Sequence, residues 1–273
     1  MRNLLCANFF RLKRNPVFWV CTLAMLLGSA GMMVLWCVED AQRGFVRELD
    51  VFYFRLSVLV SLAYGVFACL FLHVEYGEGA VRNKLAVGHT RRDVYLANLL
   101  TVFAASLCMA LAWLVGGCAG VPFLGFLTLS PARLAICAAV IVGLTAAFSA
   151  LFTFLGMLGT RRSVIVITLL VWLALLLVAS SFDNALNEPE FATGMTVTVD
   201  GVQTLVQEPN PYYISGLQRD IYDFLVDFLP SGQLGRLQNI ALDHPVRMLL
   251  SSLFITVTTT LGGVFLFRQK DLK

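Results

Sequence analysis

The chain has 273 residues, of which 58% are hydrophobic and 14% are charged, and its formal net charge is +3. Its mean hydropathy of +0.79 excludes an ordinary soluble domain, because the surface of such a domain needs more charged and polar residues. A helix needs about 20 apolar residues to cross the hydrocarbon core of a bilayer. We therefore predict an all-α integral membrane protein with six transmembrane helices, at residues 17–38, 51–74, 96–120, 132–159, 164–181 and 247–267.

The distribution of basic residues predicts the orientation of these spans. Thirteen of the 20 lysines and arginines lie in the amino end, between spans two and three, between spans four and five (Arg161 and Arg162) and in the tail. Basic residues in short loops are retained on the cytoplasmic face. Both termini are therefore predicted to be cytoplasmic. The first apolar run is longer than a signal-peptide core, so we expect no cleavage after it.

The amino end, residues 1–16, combines apolar and basic positions. Leu5, Phe9 and Leu12 recur at helical spacing, and basic residues stand between them. This pattern predicts a short helix in the inner headgroup layer. An ordinary basic flank that only sets topology is the alternative, and either reading makes this segment an anchor.

Residues 75–95 form a charged, glycine-punctuated segment between two apolar spans. Ala80 to Val87 has helix-forming composition, Gly88 is placed to end that helix, and Thr90 to Asp93 has the spacing of a capping box. The pattern predicts a helix, a tight turn and a second helix. A helix of two turns is marginal in water, so it must dock on something. The candidate surfaces for this docking are a soluble partner, the chain's own spans and anionic lipid.

The predicted spans carry no charged residue near their midpoints, and Arg55 lies close enough to an outer end to snorkel to water. A transporter driven by an ion gradient normally has such groups at the midplane. The chain also lacks a Gly-x-x-x-x-Gly-Lys-Ser/Thr loop for nucleotide. We therefore expect no cofactor on this chain, and a pump of this kind would need an ATPase on another polypeptide to bind ATP and Mg²⁺.

Small and hydroxylated residues in the spans have packing interpretations. Gly143 and Ala147 have the spacing that lets helices approach closely, and we expect this approach within the monomer. The hydroxyls between residues 251 and 260 are predicted to bond back to their own helix, with a polar route as the alternative. Whether Cys37 and Cys118 pair is left open. The three histidines show no metal-ligand spacing.

The segment 182–246 is too polar to cross the membrane and too long for a simple turn. Asp200-Gly201 between residues 197–199 and 202–204 predicts a β-hairpin. Apolar positions from Leu217 to Phe228 mark one face of an amphipathic helix. The opposite face is acidic and is predicted to be solvated, with contact to a cationic peptide as the alternative. Its residues are Asp220, Asp223 and Asp227.

Several of these positions together resemble type-2 ABC-transporter permeases. The residues that resemble the segment after their second span are Glu75, Gly79, Arg82-Asn-Lys-Leu85, Gly88 and Thr90-Arg-Arg92. The tail Phe267-Arg-Gln-Lys-Asp-Leu-Lys273 and the sequence Leu229-Pro-Ser-Gly-Gln233 resemble motifs at and before their last span. The resemblance implies a coupling helix that receives motion from a separate ABC ATP-binding subunit. The residues it implies for coupling are Arg82, Lys84, Leu85, Gly88, Arg91 and Arg92, with Glu75 as a hinge or gate.

The resemblance also implies the wider function and the partners. We expect a non-enzymatic permease subunit of an ATP-driven exporter, which forms the substrate path as a dimer with a second copy or a paralogue. Drugs, antimicrobial peptides and lipids are the substrate classes. The expected location is a cell membrane of bacterial inner-membrane type, in contact with lipid and with no nucleic acid. The segments are 1–16, 17–74, 75–95, 96–181, 182–246 and 247–273.

Two other classes of function remain open at this stage. Glu39-Asp-Ala-Gln-Arg43 resembles a membrane-protease motif, but its spacing is one residue short and no matching intramembrane histidine follows. A non-transporting immunity or sensor protein would instead bind a ligand through its outer segment. Mutation of the ATPase site of a partner distinguishes the two classes. The mutation abolishes transport, whereas the protection that an immunity protein gives would be retained.

Overall fold

The computed structural model describes residues 1–44, 49–77, 79–125, 127–159, 163–192, 196–199, 202–205 and 208–270. The helices are α1 (Arg2–Arg14), α2 (Pro16–Arg43), α3 (Asp50–Tyr53), α4 (Ser57–Gly77), α5 (Ala80–Ala86), α6 (Arg91–Gly117), α7 (Val121–Leu124), α8 (Pro131–Leu158), α9 (Ser163–Leu186), α10 (Leu217–Phe228), α11 (Pro230–Gln238) and α12 (Pro245–Gln269). Six of these described helices are long and apolar enough to cross a membrane, namely α2, α4, α6, α8, α9 and α12. The predicted all-α membrane fold is confirmed. Arg161 and Arg162, which were used to predict orientation, lie outside the described residues.

Short strands occur in the outer segment. They are β1 (Phe191–Ala192), β2 (Thr196–Val199), β3 (Val202–Leu205) and β4 (Glu208–Pro209). β1 pairs antiparallel with β4, and β2 pairs antiparallel with β3 so that Val199 lies opposite Val202. This pairing agrees with the predicted hairpin. The turn residues Asp200 and Gly201 lie outside the described residues.

The second span begins later than predicted. Residues 51–56 do not continue α4, since α3 is a separate short helix and α4 begins at Ser57. The Asp50 carboxylate in the first turn of α3 accepts a hydrogen bond from the backbone N–H of Thr128 at 3.1 Å, which ties α3 to the loop before α8. Arg55 therefore precedes the span. Its guanidinium lies 5.3 Å from the centre of the Phe52 ring.

Three spans form the centre of the bundle and three surround it. In the most apolar stretches of α4, α6 and α8, the buried shares are 61%, 50% and 50%. In α2, α9 and α12 they are only 17%, 11% and 17%. The outer three helices therefore present apolar side chains outward, where hydrocarbon or a second protein must cover them.

Close helix contacts depend on small residues. A Cβ on Gly143 of α8 would lie 3.2 Å from Leu249 and 3.4 Å from Ser252 of α12. The predicted close approach at Gly143 is therefore used within the monomer. A Cβ on Gly116 of α6 would meet the backbone carbonyl of Leu26 on α2. These two glycines set how closely α12 and α2 lie against the central helices.

The polar side chains of the last span are mostly satisfied by their own helix, as predicted. Thr256 donates to the carbonyl of Ser252 at 2.7 Å, and Thr259 donates to that of Ile255 at 2.6 Å. Cys37 and Cys118 are not joined in a disulfide.

Candidate functional site at the inner end of the bundle

The segment 75–95 forms the predicted helix, turn and helix at the end of the bundle that the charge distribution predicts to be cytoplasmic, which we call the inner end. Gly79, with φ +68°, precedes α5, and Gly88, with φ +96°, follows it. Both conformations favour glycine, since a Cβ is strained at positive φ. The Thr90 hydroxyl accepts a hydrogen bond from the backbone N–H of Asp93 at 3.1 Å and caps α6.

A buried carboxylate lies at the centre of this end. The Glu75 side chain, in the last turn of α4, is only 1% exposed. Arg11 of α1 donates to its Oε2 at 3.0 Å, and Lys84 of α5 donates to its Oε1. The Arg11 guanidinium also lies 3.9 Å from the centre of the Phe71 ring. Because a buried carboxylate is stable only with such partners, Glu75 holds α1 and α5 against α4.

Two buried asparagines extend these contacts to the central helices. Lys84 donates to Oδ1 of Asn8 at 2.8 Å, and the Asn8 amide donates to Oδ1 of Asn98, on α6, at 2.8 Å. The Asn98 amide lies 3.4 Å from the sulfur of Met157 on α8. We call Asn8, Arg11, Glu75, Lys84 and Asn98 the inner network. It joins α1, α4, α5 and α6 in one set of polar contacts, in which Asn8, Glu75 and Asn98 are buried and Arg11 and Lys84 are partly buried.

The buried face of α1 differs from the predicted one. Leu4, Asn8 and Leu12, spaced four residues apart, are buried, whereas Phe9 is exposed. The sequence pattern counted only apolar residues and so missed Asn8, which is buried because its amide is hydrogen-bonded. α1 is thus packed on protein, and its position in the inner headgroup layer stays a prediction.

The predicted coupling residues divide into buried and exposed groups. Lys84 belongs to the inner network, and Leu85 is half-buried against the core. Arg82 and Gly88 are exposed, and Val87, which the sequence did not single out, is 80% exposed. Helix α5 therefore presents a cation at the surface, and the turn after it presents an apolar side chain.

Arg91 and Lys270 close the inner ends of two further spans. Arg91 donates to the carbonyls of residues 267 and 268 of α12, at 3.1 and 3.0 Å, and to that of Lys270. Lys270 donates to the last carbonyls of α8, those of residues 157 and 158, at 3.0 and 2.8 Å. Carbonyls at helix ends lack intrahelical partners, so these bonds cap both helices. Burial lowers the pKa of the Lys270 ammonium, which these bonds hold in place. Residues 271–273 of the tail lie outside the described residues.

A second charged cluster lies at the opposite, outer end. Arg247 of α12 donates from Nε to Asp227 at 2.7 Å, and Arg236 of α11 donates to Asp223 at 2.5 Å. We call Asp223, Asp227, Arg236 and Arg247 the outer cluster. The prediction of a solvated acidic face on α10 is wrong for Asp227, whose side chain is 4% exposed and is paired with Arg236 and Arg247. Asp223 is paired with the same two arginines but stays 31% exposed. Asp220 remains exposed.

The outer cluster is braced by the residues of the predicted motif 229–233. Gln233 is fully buried, and its amide donates to the carbonyls of Asp227 and Met248 at 2.8 and 3.0 Å. Its Oε1 accepts a hydrogen bond from Ser252 at 2.8 Å. Gly232 leaves no room for a side chain, because a Cβ there would meet the backbone carbonyl of Val226. These contacts lock α11 between α10 and α12.

The family comparison identifies the class of protein to which this architecture belongs. A family model described as "ABC-2 family transporter protein" matches residues 4–183, about two-thirds of the chain. The chain belongs to this family. As an ABC-2 transporter protein it is a permease, the multi-pass membrane component of an ABC transporter, and not itself catalytic. ABC-2 permeases normally work with an ATP-binding subunit. The search of the curated proteins and that of the solved structures returned no match.

The matched region of this ABC-2 permease contains five spans and the whole inner network, whereas the outer cluster lies beyond it. Sequence reasoning missed Asn8, Arg11 and Asn98. The sequence does carry a signal for Asn98, because an asparagine inside an apolar span requires a hydrogen-bonding partner.

Proposed function

We propose that this permease is driven by a separate ATP-binding subunit that docks on the segment 75–95, and that it exports a substrate along the interface between two permeases. The partner binds ATP and Mg²⁺, since the chain has no phosphate-binding loop. Motion of α5 alternates the exposure of the substrate path. The second permease is another copy or a paralogue.

The inner network is the observation that carries this proposal. Lys84 ties α5 to Glu75 and Asn8, and these in turn contact Arg11 and Asn98. Separating a buried charge from its partners costs several kcal/mol. A displacement of α5 therefore carries α1 and the inner ends of α4 and α6 with it. A short helix that moves alone would not transmit force to the spans.

The surface of α5 and of the turn after it suits a soluble partner. Arg82 on α5 is exposed, and so are Val87 and Gly88 in the turn that follows. An exposed apolar side chain and an exposed cation on one short segment fit a groove with an acidic rim, and the charge would guide the entry of the segment. Lys84 is excluded from that surface because the inner network holds it.

The helices around the bundle support a permease dimer. Few residues of α2, α9 and α12 are buried within the monomer, and many of their exposed side chains are apolar. Part of this surface would be covered by the second permease and the remainder by lipid. The path between two such subunits would be lined by residues that a monomer leaves exposed.

Affinity purification from native membranes in mild detergent tests the docking. We expect the unaltered chain to bring down a nucleotide-binding subunit, and Arg82→Glu to reduce its recovery about tenfold, as expected for reversal of one interface charge. Arg2→Glu, at another exposed basic position, is the matched control and should retain the subunit. If Arg82→Glu recovers the subunit like the control, the docking surface is misassigned. Recovery of the unaltered chain alone would favour a non-transporting immunity or sensor protein.

A further inference from the structure

A groove of about 480 Å³ lies between α6 and α12 at the inner end of the bundle. Its lining combines basic and apolar side chains. The lining residues are Arg92, Leu96, Thr260, Leu261, Val264, Phe265 and Arg268. All of them belong to two adjacent spans, so the groove needs no second subunit to exist.

Two cations at the mouth of the groove are free to bind an anion. Arg92 and Arg268 are exposed, and neither is ion-paired with a carboxylate among the described residues. In contrast, the neighbouring Arg91 is occupied with the carbonyls at the end of α12. Two guanidinium groups at one mouth repel each other, and a shared anion between them removes that repulsion.

The wall of the groove requires an apolar occupant. Leu261 and Phe265 are exposed although they lie within α12, a helix of membrane-spanning length. The two arginines lie at the ends of their spans, where the phosphates of a bilayer are found. The groove thus offers cations at headgroup depth and hydrocarbon contact immediately below.

We propose that this groove binds one anionic phospholipid of the leaflet on the predicted cytoplasmic side. Its phosphate lies between Arg92 and Arg268, and an acyl chain follows Leu261 and Phe265. A soluble anion would leave the apolar wall uncovered, and a zwitterionic lipid offers no net charge to the two arginines. Since Arg92 adjoins the residue that caps α12, the bound lipid would also steady the inner end of that helix.

Titration of the purified chain in nonionic detergent, followed by native mass spectrometry, tests the site. The probes are dioleoylphosphatidylglycerol and dioleoylphosphatidylcholine. Each arginine near a headgroup contributes about a fivefold gain in affinity, so Arg92→Gln with Arg268→Gln should weaken binding of the glycerol lipid roughly 30-fold. The choline lipid should bind weakly and equally to both proteins. Arg92→Lys with Arg268→Lys should retain most of the binding.

The matched control is Arg2→Gln with Lys13→Gln, which removes two exposed positive charges elsewhere on the same side. This control should bind the glycerol lipid like the unaltered chain. Equal loss in the control, or no loss in the paired glutamine variant, would overturn the proposal. A complex of two chains that dissociates in the glutamine variant while its lipid binding is unchanged would also overturn it, and would assign the groove to a subunit interface. The test does not depend on ATP coupling.

Discussion

Replacing Lys84 by methionine removes the ammonium that links α5 to both Glu75 and Asn8, while keeping most of the apolar stem. Breaking a buried ion pair by removing one partner costs about 3–5 kcal/mol. Glu75, with a side chain 1% exposed, would keep Arg11 at 3.0 Å, so the expected loss is smaller, roughly 2–3 kcal/mol. For a chain of this size, such a loss lowers Tm by roughly 5 °C or more.

The measurement is the apparent Tm of the detergent-purified protein at one fixed scan rate. Lys13→Met is the control, because Lys13 is exposed and the side-chain exchange is the same. The double variant Lys84→Met with Glu75→Gln should lose less unfolding free energy than the two single variants lose together, by at least about 1 kcal/mol. The losses are not additive because the two side chains are in contact. If Lys84→Met and Lys13→Met have the same Tm, the inner network does not hold α5, and the proposed transmission loses its basis.

Two further substitutions test other contacts by the same measurement. Gly263→Ala should destabilise the protein by about 1–3 kcal/mol, because its Cβ would meet the buried ring of Tyr95, whereas Gly262→Ala has room and should be neutral or stabilising. Equal Tm values for these neighbours would mean that α12 and α6 are not closely packed there. Arg247→Met should lower Tm and expose the outer segment to added protease, because two carboxylates lose a shared partner. Arg133→Met, at an exposed outer arginine, is the control and should change neither Tm nor protease sensitivity. If Arg247→Met and Arg133→Met behave alike, the outer cluster does not stabilise the protein.

The helical architecture could be predicted from the sequence because the apolar composition of each span is a local property. A run of about 20 apolar residues is sufficient to predict a transmembrane helix without knowing its neighbours. The turn around α5 was also readable, since Gly88 and the Thr90 cap act within a few residues. The start of the second span was missed because the apolar composition continues through residues 51–56, although the helix does not.

The charged contacts could not be read in the same way, because their partners are distant in the chain. Arg11 and Glu75 are 64 residues apart, and Asn8 and Asn98 are 90 residues apart. Periodicity along one helix shows which residues share a face but not what that face contacts. The acidic face of α10 illustrates this: its spacing was predicted correctly, but its surroundings depend on Arg247, which is on another helix.

Helix α12 is the described element that contacts the charged groups at both ends of the bundle. Its last carbonyls are bound by Arg91 at the inner end, and Arg247 in its first turn holds the outer cluster. These positions are about 30 Å apart along a helix with a rise of 1.5 Å per residue. Because α12 also packs closely on α8 at Gly143, it cannot shift at one end without the other responding. If an ATP-binding subunit moves α5, the inner network passes that motion to α6, and Arg91 passes it to α12. The outer segment would then move with α12, and this links the proposed docking turn to the outer end of the substrate path.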